Sequence, residues 1–183
     1  MNRFEHQLKI SKIKVENTMR PDFSWATSNI DNIKKEFNLD KYIVLFPFCS
    51  AHLVDKKWPH YNELIELIKN RFNDQLKVVL APGPSEIHDA KNINAVSILD
   101  QNKALDIPQL ASLIKESSFV VANDTGPAHI SAHLGVKGLA LFGKHTTAFK
   151  VSIERENFKV IQVADLDKLS ANNVFEKITD SLL

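Results

Sequence analysis

Cysteine is almost missing: Cys49 is the sole one in 183 residues, so the chain can form no internal disulfide and no cysteine-rich zinc cluster, and a reducing compartment is the expected setting. Long apolar runs are missing too. The longest, at 42–46, has five residues against the ~20 that a membrane-spanning helix needs. Residues 1–20 alternate basic and apolar side chains instead of following a basic start with a continuous apolar stretch, so no secretory signal is read there. Charge of one sign is not in excess, since Lys+Arg 23 against Asp+Glu 22 leaves a formal net charge of +1. That balance argues against broad nucleic-acid or membrane-surface binding, which relies on a large basic excess. Internal repeats, a Walker A loop, a G-x-G-x-x-G fingerprint and a G-x-S-x-G elbow are all absent, which sets aside the common ATPase, dinucleotide-binding and serine-hydrolase classes.

What is there is an ordinary globular composition, 44% hydrophobic and 25% charged, sufficient for one core in one domain. From residue 28 onward short β-branched runs alternate with helical patterns. Ile30, Ile33 and Phe37 share a helix face that Ser28 can cap. The spacing predicts strands at 42–46, 76–81, 95–99, 119–122, 138–142 and 158–163. Between them it predicts helices from 59, from a Ser85 cap, over 107–117 with Pro108 in the first turn, and over 127–134 with Gly135 as the stop. A last helix follows a Ser170 cap. Such alternation specifies an α/β, Rossmann-like parallel sheet with right-handed crossovers and helices on both faces. Residues 1–27, rich in Lys and Asn, read as a linker or poorly ordered lead-in, and residues 28–183 as the domain.

Ligands of parallel α/β sheets bind beyond the carboxyl ends of the strands, and three loops there carry unusual chemistry. The most informative runs from Val120 through Asn123-Asp124-Thr125-Gly126-Pro127-Ala128-His129. Gly126 permits close backbone approach, Pro127 suits the first helical turn, and a helix N-terminus offers N–H groups to an anion such as phosphate. Taken alone, Asp-Thr-Gly reads more readily as a helix cap with His129 packed behind it. Lys56-Lys57-Trp58-Pro59 can neutralise a diphosphate or be a solvated basic turn with a packed Trp58. In Pro82-Gly83-Pro84-Ser85-Glu86, Glu86 can meet a ribose hydroxyl pair or simply open a helix. His129 and His133 have the i, i+4 spacing of zinc peptidases, but Ile130 stands where a general-base glutamate is needed, so no metal is expected. Cys49, beside Ser50 and His52, reads as a small packed residue and not as a nucleophile.

Together and in order, these loops resemble the C-terminal half of the bacterial heptosyltransferases, glycosyltransferase family 9, which build the lipopolysaccharide inner core. The resemblance is carried by Phe46-Pro47 followed by Asp55-Lys56-Lys57-Trp58-Pro59, by Gly83 with Glu86, and by 123–129 leading to Leu134-Gly135 and Leu141-Phe142-Gly143. It covers 41–143 well and extends loosely to the C-terminal helix. Phe48, Ala51, His52, His133 and Lys144 depart from the family's usual residues.

The resemblance implies a GT-B architecture, two Rossmann-like domains facing across a cleft, of which this chain is the nucleotide-sugar half. It implies a donor such as ADP-heptose, bound by Ser50, Lys56, Glu86, Asp124, Thr125, Gly126 and His129. Lys56 and the 124–126 turn would take the diphosphate and sugar, Glu86 the ribose, and His129 would support the loop. Lys56 would also stabilise the departing diphosphate; no other catalytic residue is assigned to this chain, and no cofactor or metal is implied. The acceptor, lipopolysaccharide core, would be held by an acceptor domain that this chain lacks. The expected setting is cytoplasmic or peripheral at the inner membrane, with no nucleic-acid partner and no transmembrane segment. A non-catalytic nucleotide-sugar binding module, or a truncated remnant of a heptosyltransferase, is the alternative. Phe48, Leu53 and Phe149 are the residues expected to face the missing half.

Overall fold

Six short strands form one parallel sheet: β1 (Tyr42–Phe46), β2 (Lys77–Leu80), β3 (Val96–Ser97), β4 (Phe119–Asn123), β5 (Gly138–Phe142) and β6 (Phe158–Gln162). The computed structural model describes residues 3–15, 22–50 and 52–182. The strand order is β3-β2-β1-β4-β5-β6, with every neighbouring pair parallel. The helices are α1 (Arg3–Ile10), α2 (Asp31–Phe37), α3 (Tyr61–Phe72), α4 (Ile87–Ala90), α5 (Ile107–Lys115), α6 (Gly126–Leu134), α7 (Ala148–Val151) and α8 (Ala171–Leu182).

Every residue of β1, β4 and β5 is buried, as a sheet covered on both faces requires. Successive side chains point to opposite faces and therefore enter two different cores. Ile43, Leu45, Val121 and Leu141 pack with Leu64 and Ile68 of α3 and with Val174 and Ile178 of α8. Val44, Phe46, Val120 and Phe142 pack with Ile33 of α2, Leu113 of α5 and Ala128 of α6. Each such aliphatic side chain contributes about 1.5–3 kcal/mol on burial. The helix ends are specified locally. Asp106 and Gln109 form a reciprocal capping box on α5 at 2.8 and 3.0 Å, Gly135 ends α6 at φ +70°, and Ser170 Oγ accepts from Asn173 N–H at the start of α8.

Two expected caps are corrected. Helix α2 starts at Asp31 with Ile30 at its N-cap; Asn29 Oδ1 accepts the Asp31 N–H, while Ser28 N–H donates to Ser112 Oγ on α5 at 2.8 Å. Ser28 ties two helices together instead of capping one. Helix α4 starts after Glu86, not on Ser85, because the Glu86 carboxylate reaches back to the Gly83 N–H and closes the turn itself. Strand β3 is shorter than expected, two residues, since its pairing with β2 ends where Ile98 N–H bonds Leu80 O. In the stretch read as a lead-in, Arg3–Ile10 is helical and Ser24–Ala26 is a 3-10 turn with Ala26 buried; residues 1, 2 and 16–21 lie outside the described ones.

From β1 the chain moves outward through β2 to β3, then returns to lay β4 on the other side of β1. The crevice beyond the carboxyl ends of β1 and β4 is the topological switch point, where ligands of open parallel sheets bind.

Candidate functional site

The loops at the switch point are braced from below by Asn123, the fully buried last residue of β4. Its Nδ2 donates to Pro47 O at 2.9 Å, and its Oδ1 accepts from Tyr61 O–H at 3.2 Å and from Trp58 N–H at 3.4 Å. Trp58 is itself buried, with its ring edge-on to Tyr61 and its Nε1 donating to Leu169 O at 2.8 Å. The loop after β1 is therefore pinned at both ends to β4 and, through Trp58, to the turn that precedes α8. A buried amide with both its donor and acceptor engaged is how such a junction stays specific.

Above the brace stands Asp124, with a side chain only 4% exposed. Lys56 Nζ donates to its Oδ2 at 2.7 Å and to its main-chain oxygen at 3.2 Å. His145, in the loop after β5, brings Nε2 to the same Oδ2 at 3.0 Å. His129 of α6 holds Nε2 at 3.7 Å from Oδ1, beyond hydrogen-bond length. Burial by itself would raise the Asp124 pKa, but His129, Lys56 and His145 outweigh it and hold the carboxyl well below its ordinary value of 3.8. Asp124 is ionised throughout the physiological range. It does not cap α6, whose N-cap, Thr125, makes no side-chain cap bond either.

A cleft of about 410 Å³ opens beside this cluster. Ser50, Lys56, Glu86, Asp124, Thr125 and Gly126 line it, so the fold brings six of the seven expected site residues to one cavity; His129 meets Asp124 from outside that lining. Part of its lining is apolar, with Ala81, Pro82, Pro84, Leu105, Ile107 and Leu110. Gly126 opens α6 with no atom within 4 Å of where a Cβ would stand and without a positive φ. Neither packing nor backbone strain demands glycine there. Glu86 accepts the Gly83 N–H on Oε2 at 2.8 Å, which leaves Oε1 as an acceptor on a cleft-lining side chain. Phe48 and Leu53 line the cleft as well, whereas Phe149 on α7 is 93% exposed. His52 is exposed, and Ala51 lies outside the described residues. Cys49 is half-buried on the cleft lining; its Sγ donates to Leu53 O, and burial pushes its thiol pKa up against the pull of Lys57 and Lys56. Among the described residues no group of three or more His, Cys, Asp or Glu is placed to hold a metal ion.

Sequence reasoning missed His145 and the bracing by Asn123. His145 follows the Leu141-Phe142-Gly143 segment, a fourth strand end whose loop carries a cation and an imidazole, Lys144 and His145. The signal was its position, not a motif. Gly143 explains how that loop reaches the site: a Cβ there would stand 3.0 Å from Asp55 O and 3.4 Å from Leu166 Cγ, so glycine lets it lie against the turn that carries Lys56 without pushing that turn away.

The model of glycosyltransferase family 9 (heptosyltransferase) matches residues 5–178. The chain belongs to that family. Among curated relatives, this family 9 chain is 29% identical over 124 residues to lipopolysaccharide heptosyltransferase 2 of Salmonella typhimurium, covering 62% of this chain and 35% of the relative. It is 25% identical over 158 residues to lipopolysaccharide heptosyltransferase 2 of Escherichia coli K12, covering 81% and 45%. The chain thus spans less than half the length of these two relatives. Among solved structures, E. coli heptosyltransferase WaaC with ADP superposes with a TM-score of 0.70 at 23% identity, covering 97% of this chain and 54% of that one. E. coli ADP-heptose lps heptosyltransferase II gives 0.68 at 19%, covering 93% and 53%. These likenesses establish the fold, a Rossmann-like domain of GT-B type. No helix among the described residues is long and apolar enough to cross a membrane.

Proposed function

We propose that this family 9 domain binds a nucleotide-sugar donor of the ADP-heptose kind in the cleft at the β1/β4 switch point, for transfer to a lipopolysaccharide core acceptor. The observation that carries the reading is that Lys56 and the N-terminus of α6 line one cleft together with apolar residues and the Glu86 carboxylate. Lys56 and the Gly126 N–H take the diphosphate, a point charge and a helix N-terminus acting on the same anion. The apolar part of the lining receives the base, Glu86 Oε1 a ribose hydroxyl, and Asp124 Oδ1 a hydroxyl of the sugar. Ser50 and Thr125 add hydroxyl contacts at the phosphate end, and His129 supports Asp124.

In the reaction the acceptor oxygen bonds to the anomeric carbon as the bond from that carbon to the diphosphate breaks, and the leaving diphosphate takes the electron pair. Lys56 and the helix N–H groups meet the charge where it develops. The acceptor proton needs a base, and in this reading both cleft carboxylates have other tasks, Glu86 with the Gly83 N–H and the ribose and Asp124 with Lys56, His145 and the donor sugar. We assign the base to the acceptor-binding part of a complete GT-B enzyme. The complexed relatives support the donor class, since solved E. coli WaaC structures hold ADP and ADP-2-deoxy-2-fluoro heptose.

Calorimetric titration with ADP, GDP and UDP tests the reading and reports the base. ADP should bind, and Lys56→Ala should weaken it about tenfold or more, the cost of one charge-assisted contact. Equal affinities for the two proteins would remove Lys56 from the diphosphate site.

A further inference from the structure

In the cleft Lys56 and Asp124 neutralise each other. The Lys56 ammonium is spent on Asp124, and Asp124, 4% exposed, has almost no access to water. Two of the three Lys56 N–H donors go to Asp124, and a diphosphate that draws Lys56 off the carboxylate would leave a buried anion beside an incoming one, an arrangement costly on both desolvation and repulsion grounds. Something else must hold Asp124 when Lys56 turns away.

We infer that His145 is that group: a positioning residue that keeps the Asp124 carboxylate bound through Oδ2 so that Lys56 can leave it for the phosphates. His145 already shares Oδ2 with Lys56, at 3.0 Å against 2.7 Å. Its side chain is 11% exposed and its ring stacks on Phe142 at 5.8 Å between centroids and 18° between planes. The imidazole is held in place by packing, and the loop that carries it is seated by the close approach of Gly143 to Asp55. Because Oδ2 is an acceptor, Nε2 carries the proton and donates. The other ring nitrogen, Nδ1, is buried without a hydrogen-bond partner, so the carboxylate contact is the ring's one polar tie among the described residues. His129 is the weaker candidate for this task, 38% exposed and 3.7 Å from the opposite oxygen.

This inference rests on the donor-site reading, and the test separates the two. ADP is titrated into the unaltered chain and into His145→Ala, His145→Gln, Asp124→Asn and the Asp124→Asn/His145→Ala double variant, each first checked for cooperative melting. His145→Ala should weaken ADP about tenfold, as the loss of a hydrogen bond to a charged group implies. Gln, whose Nε2 can replace the imidazole Nε2–H, should bring the affinity back to within about threefold of the unaltered chain. In the Asp124→Asn background, where no charge needs holding, His145→Ala should change the affinity less than about twofold. A loss that the Asn background leaves undiminished, or a His145→Ala affinity equal to the unaltered chain's, overturns the role of His145 and leaves the donor site standing. Absence of binding by the unaltered chain to ADP, GDP and UDP overturns the donor-site reading and this inference with it.

Discussion

Asn123 Nδ2 donates to Pro47 O at 2.9 Å, which ties the carboxyl end of β4 to that of β1 across the switch point on which the cleft is built. The same side chain receives the Tyr61 hydroxyl, which also lies 3.2 Å from Phe46 O, so one amide joins β1, β4 and α3.

Replacing Asn123 by Ala strands the Pro47 carbonyl and the Trp58 N–H in a buried place and opens a small void. Each orphaned group costs about 1–3 kcal/mol, and partial relaxation leaves an expected loss of about 2–3 kcal/mol. Urea unfolding followed by tryptophan fluorescence measures it. A loss under about 1 kcal/mol would mean that the loop after β1 is held by Trp58 alone.

The architecture was legible because the central strands β1, β4 and β5 are short, largely apolar runs between helical patterns, and their burial on both faces leaves no room for polar alternation. Strands β1 and β5 fall on their expected residues. Caps were less legible, since Ser28, Asn29 and Ser85 offer the same local chemistry and tertiary partners decide among them. Ser112 claims Ser28, and Gly83 claims Glu86 before Ser85 can act. At the site, the motif around Asp124 located the cleft, but two of the partners of Asp124, Lys56 and His145, come from separate loops distant in sequence. His145 has no signature of its own, because its role exists only once Gly143 brings β5's loop against the Lys56 turn.

Asp124 also sets an acid dependence. Its folded-state pKa lies below the ordinary 3.8, so the unfolded chain binds its proton first as pH falls. The stability from its ion pairs is complete above the unfolded value and is lost progressively below it, down through the depressed folded value. Asp124→Asn carries no such term. The stability gap between the unaltered chain and Asp124→Asn, measured by urea unfolding, should therefore narrow from about pH 6 to about pH 3. A gap that stays constant or widens in acid would show that Asp124 is not held as a paired carboxylate.

Gly143 should tolerate no side chain. A methyl group there meets the main-chain Asp55 O at 3.0 Å, with no flexible side-chain end to yield, and crowds Leu166. Gly143→Ala should cost about 1–3 kcal/mol by overpacking and should weaken ADP as well, because the displaced turn carries Lys56 away from the α6 N-terminus. Thermal melting and titration read the two effects on one preparation. Unchanged melting with unchanged ADP affinity would show that the two loops adjust independently.

Gly126 provides the opposite case, and the pair of glycines separates packing from binding. A Cβ at Gly126 meets nothing within 4 Å, and its φ lies outside the region that strains other residues. Alanine should therefore be accepted at the first position of α6, and the reduced freedom of the unfolded chain should make the fold as stable or up to about 1 kcal/mol more stable. The methyl group would nonetheless project into the cleft mouth beside the N–H assigned to the diphosphate. Gly126→Ala should weaken ADP about tenfold by costing that contact. A melting temperature held or raised together with weaker ADP binding is the expected outcome. An affinity equal to that of the unaltered chain would mean that the diphosphate does not approach the start of α6, whatever Lys56 does.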